Sequence, residues 1–284
     1  MLNNRILVLI TLILVFGCAV ASSQVKLAEV AGGPAPGAFN ALTGFAFVAT
    51  GTIGYVANSG SGLVQRFSTT SGRILHTLQL PPGLGAMALS RDERWLVVAC
   101  ISNQKLYIVD SLSMTLWSET SYPSYLPPQQ TGFTSRNNII MNQDGSRIFI
   151  ADPNNDRIVV FNTRDGSFDR FIHFIATGHT GIHPNTITLA PDGHTAAVLC
   201  SDPEYPESQS VWLFDTDTSI VSLACELPGD RYQTQLFNNI QFNGLPVRQL
   251  YVASYGSDRI AACDLRTLQR GDYSSPGRGP TYIR

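Results

Sequence analysis

A short apolar phrase recurs along the chain and constrains its fold more than any other feature. Four regular copies, such as Tyr-Val-Ala and Phe-Ile-Ala, end at Ala57, Ala99, Ala151 and Ala253, and a looser copy is centred on Leu199. Each copy leads through a polar turn to a second apolar run. These runs end at Ser68, Asp110, Asn162, Asp215 and Asp264. The interval from phrase to run end is 11 residues in the regular copies and 16 in the looser one. Such long-period similarity predicts a repeat architecture.

Each repeat divides into four short segments with the composition of strands. In the third copy they cover 138–141, 147–151, 157–161 and 168–175, and turns rich in Asn, Asp and Gly separate them. The recurring position advances by 42, 52, 48 and 54 residues from copy to copy. Four strands in a unit of roughly 40–50 residues is typical of a β-propeller blade. We therefore predict an all-β β-propeller of about five four-stranded antiparallel blades, with one propeller domain over 22–270.

The ends of the chain decide how this propeller would close. The last copy has three inner strands at 239–242, 250–254 and 259–264, and the tail at 271–284 looks irregular. A strand at 24–30 would complete the last blade and seal the ring, which removes exposed edges. The alternative is a truncated propeller of six or seven blades.

The first residues have the pattern of a secretory signal. Arg5 precedes an apolar run over 6–16, and Ala19-Val20-Ala21 forms a cleavage site, so 1–21 is predicted to be a signal peptide. Residues 15–18 resemble a bacterial lipobox, which makes Cys18 a candidate for a lipid anchor. No later apolar stretch reaches the ~20 residues of a transmembrane helix. We expect a monomer that is secreted, periplasmic or at the cell surface.

Charge and cysteine content bear on nucleic-acid binding and on disulfide formation. The net charge is −2, and charged residues make up 14% of the chain, so no basic surface is expected for nucleic acid. Four cysteines follow the signal, at 100, 200, 225 and 263. Exported cysteines can pair in disulfides, but Cys100 and Cys200 end apolar strands and suit buried free thiols equally well. The pairing stays open.

Loop lengths indicate which face would bind a ligand. In a blade of strands a to d, the d–a and b–c connections share one face, here called the loop face; the a–b and c–d turns share the other, the turn face. The loop face carries the irregular connections, with Tyr122 and Tyr125 in one and Asp202 and Tyr205 in another. Loops on a rigid scaffold commonly carry binding residues. The Asp residues of the opposite turns are interpreted as turn formers.

Three asparagines recur two residues before the apolar centre of the innermost strands, at Asn137, Asn185 and Asn238. They could ring the mouth of the central channel and bind ligand hydroxyls or a divalent cation such as Ca²⁺. Alternatively, each pairs with backbone where its strand begins. His179 and His183 are weak metal candidates. Their i, i+4 spacing brings two ligands together only on a helix, and the neighbouring glycines and proline argue against a helix here.

Some of these phrases resemble a known family. Tyr55-Val56-Ala57-Asn58, Tyr251-Val252-Ala253-Ser254 and Ala190-Pro191-Asp192-Gly193 are similar to the YVTN β-propeller repeat over about 45–265. The resemblance implies a superfamily of surface-layer and adhesion-type proteins, phosphogluconolactonase-type lactonases and quinone-dependent dehydrogenases.

Motifs for catalysis are missing from the sequence: Gly-x-Ser-x-Gly, His-Glu-x-x-His and a dinucleotide-binding glycine motif do not occur. We assign no catalytic residue. The leading hypothesis is an exported binding or scaffold protein that recognises a protein or glycan partner through the loop face. The alternative is a lactonase-type hydrolase with a divalent cation at the channel mouth.

Overall fold

Antiparallel strands make up almost all of the chain that can be described. A computed structural model of the protein describes residues 42–123, 139–174, 183–201, 208–228, 237–242, 249–254, 259–267 and 269–274. Within these ranges, twenty strands form five four-stranded sheets in which each strand pairs with its neighbours in sequence. The expected β-propeller architecture is therefore confirmed.

The first three blades follow one another along the chain with short turns between their strands. Blade 1 contains β1 to β4, at Leu42–Phe47, Ile53–Asn58, Leu63–Ser68 and Ile74–Gln79. Blade 2 contains β5 to β8, at Leu84–Leu89, Trp95–Cys100, Lys105–Asp110 and Thr115–Ser121. Blade 3 contains β9 to β12, at Ile139–Met141, Arg147–Asp152, Arg157–Asn162 and Phe168–His173.

The last two blades have the same order. Blade 4 contains β13 to β16, at His183–Leu189, Thr195–Ser201, Ser208–Asp215 and Val221–Pro228. Blade 5 contains β17 to β20, at Phe237–Phe242, Gln249–Ser254, Arg259–Asp264 and Gln269–Ser274. The b–c turn of blade 3 includes a 3₁₀ turn at Pro153–Asn155.

The fourth strand of blade 5 corrects one expectation. β19 pairs with β18 on one side and with β20 on the other, so Gln269–Ser274 supplies the strand that was expected from residues 24–30. β20 also extends to Ser274, into the segment expected to be irregular. Its sequence, Gln-Arg-Gly-Asp-Tyr-Ser, lacks apolar alternation, but an outermost strand can be held by main-chain pairing to one neighbour. Residues 1–41, with the predicted signal and Cys18, lie outside the described residues.

The recurring phrase forms the second strand of each blade and lies in the packing between blades. Ala57, Ala99 and Ala151 are at most 1% exposed. Four apolar clusters join blade 1 to 2, 2 to 3, 3 to 4 and 4 to 5. Each Å² of apolar surface that is buried contributes about 25 cal/mol to the free energy of folding, so these clusters are the main source of stability. The phrase is thus core rather than a binding site.

The four described cysteines divide into two kinds. Cys225 in β16 and Cys263 in β19 form a disulfide, with Cα atoms 6.1 Å apart, that joins blade 4 to blade 5. Cys100 and Cys200 are buried free thiols. Burial, and then the charge of Asp156, raise the pKa of the Cys200 thiol well above its usual value, so it stays protonated. The sequence left open disulfides and buried free thiols. The structure has the disulfide at Cys225 and Cys263 and free thiols at Cys100 and Cys200.

Aspartates at the turn face close the c–d turns as predicted. Asp215 accepts the backbone N–H groups of Asp217 and Thr218 at 2.9 and 2.7 Å. Asp110 and Asp264 accept the equivalent bonds in blades 2 and 5. These bonds stabilise the ionised carboxylate and lower the pKa of all three residues. In the part of the chain that is described, no helix has the length and hydropathy needed to cross a membrane.

Candidate functional site

Polar side chains from three consecutive blades meet at the loop face between blades 2, 3 and 4. Tyr122 directly follows β8, the 3₁₀ turn joins β10 to β11, and His183 begins β13. These positions belong to d–a and b–c connections, so all three lie on the loop face. The loop face was predicted to be the binding face from the irregular lengths of its connections.

A buried carboxylate lies at the centre of this site. Asp152, the last residue of β10, is 0% exposed. Its oxygens accept hydrogen bonds from the Tyr122 hydroxyl, from Nδ2 of Asn155 at 2.9 and 2.8 Å, and from Nε of Arg157 at 3.1 Å. These four residues are called the buried network below. The network connects the end of blade 2 to the b–c turn of blade 3.

The buried network is stable only as a unit. A buried carboxylate costs several kcal/mol unless donors and a positive charge compensate it, and here Arg157 supplies the charge. The guanidinium carbon of Arg157 also lies 3.7 Å from the centre of the Phe171 ring in β12. Burial and then the bond to Asp152 raise the pKa of Tyr122 above its usual value. Its hydroxyl therefore remains a donor at any physiological pH.

One donor of the network is left open. Nη2 of Arg157 is buried and has no hydrogen-bond partner among the described residues. Unpaired buried donors are rare in folded proteins, and a bound water or a ligand oxygen commonly satisfies them. The b–c turn of blade 3 is therefore firmly held while still carrying one unused cationic donor.

A histidine and an aspartate lie beside this network and reach the surface. Asp156 ends the 3₁₀ turn in a left-handed conformation, with φ of 54°. Its Oδ1 lies 2.7 Å from Nδ1 of His183, the first residue of β13 in the next blade. The side chains of His183 and Asp156 are 31% and 36% exposed. We call these two residues the surface pair, since part of each side chain is open to a ligand.

Asn185 lies next to the surface pair in a β-bulge. The register of β13 against β14 shifts between Pro184 and Thr186, which leaves Asn185 without a direct partner across the strands. Its Nδ2 donates to Oγ of Ser201 at 2.8 Å and to the carbonyl oxygen of His183 at 3.2 Å. Both bonds use the amide nitrogen. The amide therefore holds the beginning of the innermost strand, as one of the two sequence interpretations proposed.

A bulge also places a polar residue near the start of two other innermost strands. β17 shifts register between Phe237 and Asn239, which places Asn238 at the bulge. β1 shifts between Leu42 and Gly44, and the hydroxyl of Thr43 donates to the carbonyl oxygen of Leu84 in the next blade at 2.8 Å. For Asn185 and Asn238, the recurring position therefore coincides with a β-bulge.

The structure describes only some of the residues selected from the sequence. Tyr122, His183 and Asn185 are described and lie together at the loop face. Several others lie outside the described residues: Tyr125, Asn137, His179, Asp202 and Tyr205. For Asn238 only the backbone is described. Within the described part of the chain, no three His, Cys, Asp or Glu side chains are grouped closely enough to hold a metal ion.

Sequence reasoning missed Asp152 and Asp156, which it assigned to an ordinary turn, and Arg157, which it assigned to the start of a strand. A signal was nevertheless present. The residue after the recurring phrase is Asn58, Cys100, Cys200 or Ser254 in four copies, and only Asp152 is charged. A carboxylate at a position that other blades bury requires compensating partners, and this would have pointed to Arg157.

Five consecutive four-stranded antiparallel sheets that pack face to face define the chain as a β-propeller, and solved structures agree. Hydrazine synthase of Kuenenia stuttgartiensis aligns with a TM-score of 0.64 at 12% identity, over 90% of this chain and 70% of that one. The β-propeller domain of Myceliophteria thermophila Cps50 (Swd1) aligns with a TM-score of 0.51 at 12% identity, over 84% and 89%.

Dihydro-heme d1 dehydrogenase NirN, solved in complex with DHE, aligns with a TM-score of 0.60 at 16% identity over 80% of this chain. The chain spans only 45% of NirN. No protein-family model matches the sequence, and no curated protein matches it. At these identities, the comparisons show the fold alone.

Proposed function

We propose that this β-propeller is a binding protein that recognises a neutral glycan through its loop face and has no catalysis of its own. The observation that carries the proposal is the surface pair, His183 and Asp156, whose side chains are 31% and 36% exposed beside a buried polar network. The pair sits where three blades meet and where the irregular loops begin.

The chemistry of the site suits hydroxyl groups. A sugar hydroxyl both donates and accepts, so its binding site needs acceptors and donors on short, rigid side chains. Oδ1 of Asp156 and Nδ1 of His183 are buried against each other, so the second carboxylate oxygen of Asp156 offers the acceptor and Nε2 of His183 the second polar atom. Asn185 has its amide oriented by Ser201. The buried network fixes the turn that carries Asp156, and this lowers the entropy lost on binding.

The charges of the site favour a neutral ligand. Asp152 and Asp156 contribute two carboxylates, while Arg157 contributes one constant positive charge that Asp152 already compensates. An anionic ligand would meet the exposed Asp156 carboxylate and be repelled. A polyhydroxylated neutral ligand meets no such penalty.

The sequence and one disulfide support the proposal that the protein is exported. We propose an exported monomer of the YVTN-type propeller superfamily, with a signal at 1–21 and Cys18 as a candidate lipid attachment site. The disulfide between Cys225 and Cys263 supports export, because disulfides persist in oxidising compartments.

A glycan microarray that includes neutral and acidic oligosaccharides tests the proposal. The wild-type protein should bind a subset of neutral glycans, and His183→Ala should lower that signal at least about tenfold, equivalent to 1.4 kcal/mol. His76→Ala is the matched control, because His76 is exposed on the outermost strand of blade 1. An array without binding, or binding unchanged in His183→Ala, would contradict the proposal.

The same preparation tests the lactonase alternative. Metal content is measured by mass spectrometry, and hydrolysis of glucono-1,5-lactone is followed for the wild type and for Asn185→Ala. The binding proposal predicts no hydrolysis above the buffer rate in either protein. A stoichiometric divalent cation that is lost in Asn185→Ala together with lactone hydrolysis would replace the binding proposal with the hydrolase.

A further inference from the structure

A groove opens on the turn face, on the opposite side of the molecule from the surface pair. It lies between blades 2 and 3 and has a volume of about 380 Å³. Its walls include two aromatic and several polar side chains: Arg94, Trp95, Trp117, Asp144, Thr163 and Arg164. The volume is within the range of small-ligand sites, about 300–1,000 Å³.

Two tryptophans form one wall of this groove. The rings of Trp95 in β6 and Trp117 in β8 lie 5.3 Å apart at an angle of 50°. Trp117 is 55% exposed, which is a large apolar surface to leave in water. Its Nε1 donates to the carbonyl oxygen of Arg164 in blade 3 at 2.9 Å, so the ring is held in place across the groove.

Two arginines give the groove a positive charge. The guanidinium carbon of Arg94 lies 4.6 Å from the centre of the Trp95 ring, and Arg164 is exposed on the blade 3 side. Neither arginine forms an ion pair with another described residue. The one carboxylate of the wall, Asp144, accepts the backbone N–H of Ser146 at 2.9 Å. Within the wall itself, two arginines therefore face one carboxylate. Outside the wall, backbone hydrogen bonds and then the charge of Arg94 lower the pKa of Asp110, and backbone hydrogen bonds and then the charge of Arg164 lower the pKa of Asp165.

The neighbouring groove between blades 1 and 2 provides a contrast. It has a similar volume of about 390 Å³ and also carries two arginines, Arg66 and the shared Arg94. Its walls differ in carrying three acidic residues, Asp92, Glu93 and Asp110, and no tryptophan. Thr163 in the first groove has a buried hydroxyl without a partner among the described residues, but so does Thr216 in blade 4. The two tryptophans and the single carboxylate of its wall distinguish the groove between blades 2 and 3.

We propose that this groove binds an acidic oligosaccharide whose sugars carry carboxylates, as uronic acids do. The C–H face of a pyranose ring is apolar and weakly positive, so it stacks on the negative face of an indole ring. Trp117 supplies the exposed ring, and the sugar carboxylate pairs with the guanidinium groups of Arg94 and Arg164. The inference is independent of the neutral-glycan site, which lies on the opposite face.

Tryptophan fluorescence tests the groove directly. The chain has three tryptophans, and Trp212, outside the groove, is only 8% exposed. Titration with trigalacturonate should quench the emission of the wild type with a saturable curve. Trp117→Ala should abolish most of the quenching, and isothermal calorimetry on this variant should give an affinity at least about tenfold lower.

Charge recognition is tested with a matched ligand and a matched variant. The methyl ester of trigalacturonate has the same sugars without charge and should bind about tenfold more weakly. Arg164→Gln should lower the affinity for trigalacturonate by a similar factor. Arg66→Gln, in the neighbouring groove, should leave that affinity unchanged. Binding of trigalacturonate should also weaken at high salt. An absence of quenching at millimolar trigalacturonate, or an affinity unchanged in both Trp117→Ala and Arg164→Gln, would overturn the proposal.

Discussion

The carboxylate of Asp152 in blade 3 accepts a hydrogen bond from the hydroxyl of Tyr122, 30 residues earlier in the chain and at the end of blade 2. This bond ties the d–a connection of one blade to the b–c turn of the next. It ends in a carboxylate that is entirely buried. The buried network on the loop face therefore combines a contact between blades with contacts inside blade 3.

Removal of the Tyr122 hydroxyl should measure the value of this contact. Tyr122→Phe keeps the ring but takes one donor from a buried charge, so the free energy of unfolding should fall by about 1.5–3 kcal/mol. Urea unfolding at pH 7 provides the measurement. Tyr55→Phe is the matched control, because the buried Tyr55 hydroxyl donates to a neutral carbonyl, that of Ser111, at 3.3 Å. The loss in the control should be smaller, about 0.5–1.5 kcal/mol.

Neutralising Asp152 should cost more than the loss of one donor. Asp152→Asn leaves the guanidinium of Arg157 buried without its carboxylate, and breaking a buried pair in this way costs about 3–5 kcal/mol. In a double-mutant cycle, Tyr122→Phe should add little to Asp152→Asn, since both changes disrupt the same network. Additive losses would show that Tyr122 and Asp152 act independently and would contradict the described network.

The disulfide predicts a specific labelling pattern. In denaturant without reductant, an alkylating reagent should modify Cys100 and Cys200 but not Cys225 or Cys263. Reduction should add two alkyl groups, as read by intact mass. A cross-link that spans 38 residues contributes about 2–4 kcal/mol to stability, so Cys225→Ala with Cys263→Ala should lower the unfolding free energy by that amount. Modification of all four of these cysteines before reduction, with Cys18 not counted, would contradict the pairing.

The turn-face aspartates should make stability dependent on acid pH. Hydrogen bonds from Thr218 lower the pKa of Asp215 in the folded state below its unfolded value of about 3.9. The stabilisation is therefore fully present above about pH 4 and is lost as the pH falls through the folded pKa. Asp215→Asn should be less stable than the wild type at about pH 6, and the difference should narrow towards about pH 2.

Asn162 provides the control for this pH effect. It occupies the same position in blade 3 and donates to Oγ of Ser167 at 3.0 Å without carrying a charge. The stability cost of Asn162→Ala should not change over the same acid range. If the difference between the wild type and Asp215→Asn stays constant down to about pH 2, the charged turn contributes nothing that depends on its ionisation.

Repetition made most of the fold predictable from the sequence. The spacing of the recurring phrase predicted four-stranded blades, and Ala57, Ala99 and Ala151 proved to be buried between them. The spacing could not predict β20, because an outermost strand is held by backbone pairing and does not need an apolar pattern. The spacing of apolar residues predicts strands whose side chains are packed in the core. It does not predict strands that are held by backbone pairing alone.

The candidate site was only partly predictable for a related reason. Irregular loop lengths drew attention to the loop face, where the structure connects Tyr122 to Asp152 and His183 to Asp156. The partners of Asp152 lie in two blades, and no local pattern relates a tyrosine to an aspartate 30 residues away. Asn185 was recognised as recurrent, but the β-bulge behind the recurrence is visible only in the strand register.

The most direct test of the account is the affinity of one neutral glycan for three proteins. Isothermal calorimetry would use the neutral glycan that binds best on the array and compare the wild type, a His183→Ala and Asn185→Ala double variant, and Trp117→Ala. Recognition through the loop face predicts a dissociation constant at least about tenfold higher in the double variant and unchanged in Trp117→Ala. An unchanged dissociation constant in a correctly folded double variant would contradict the account.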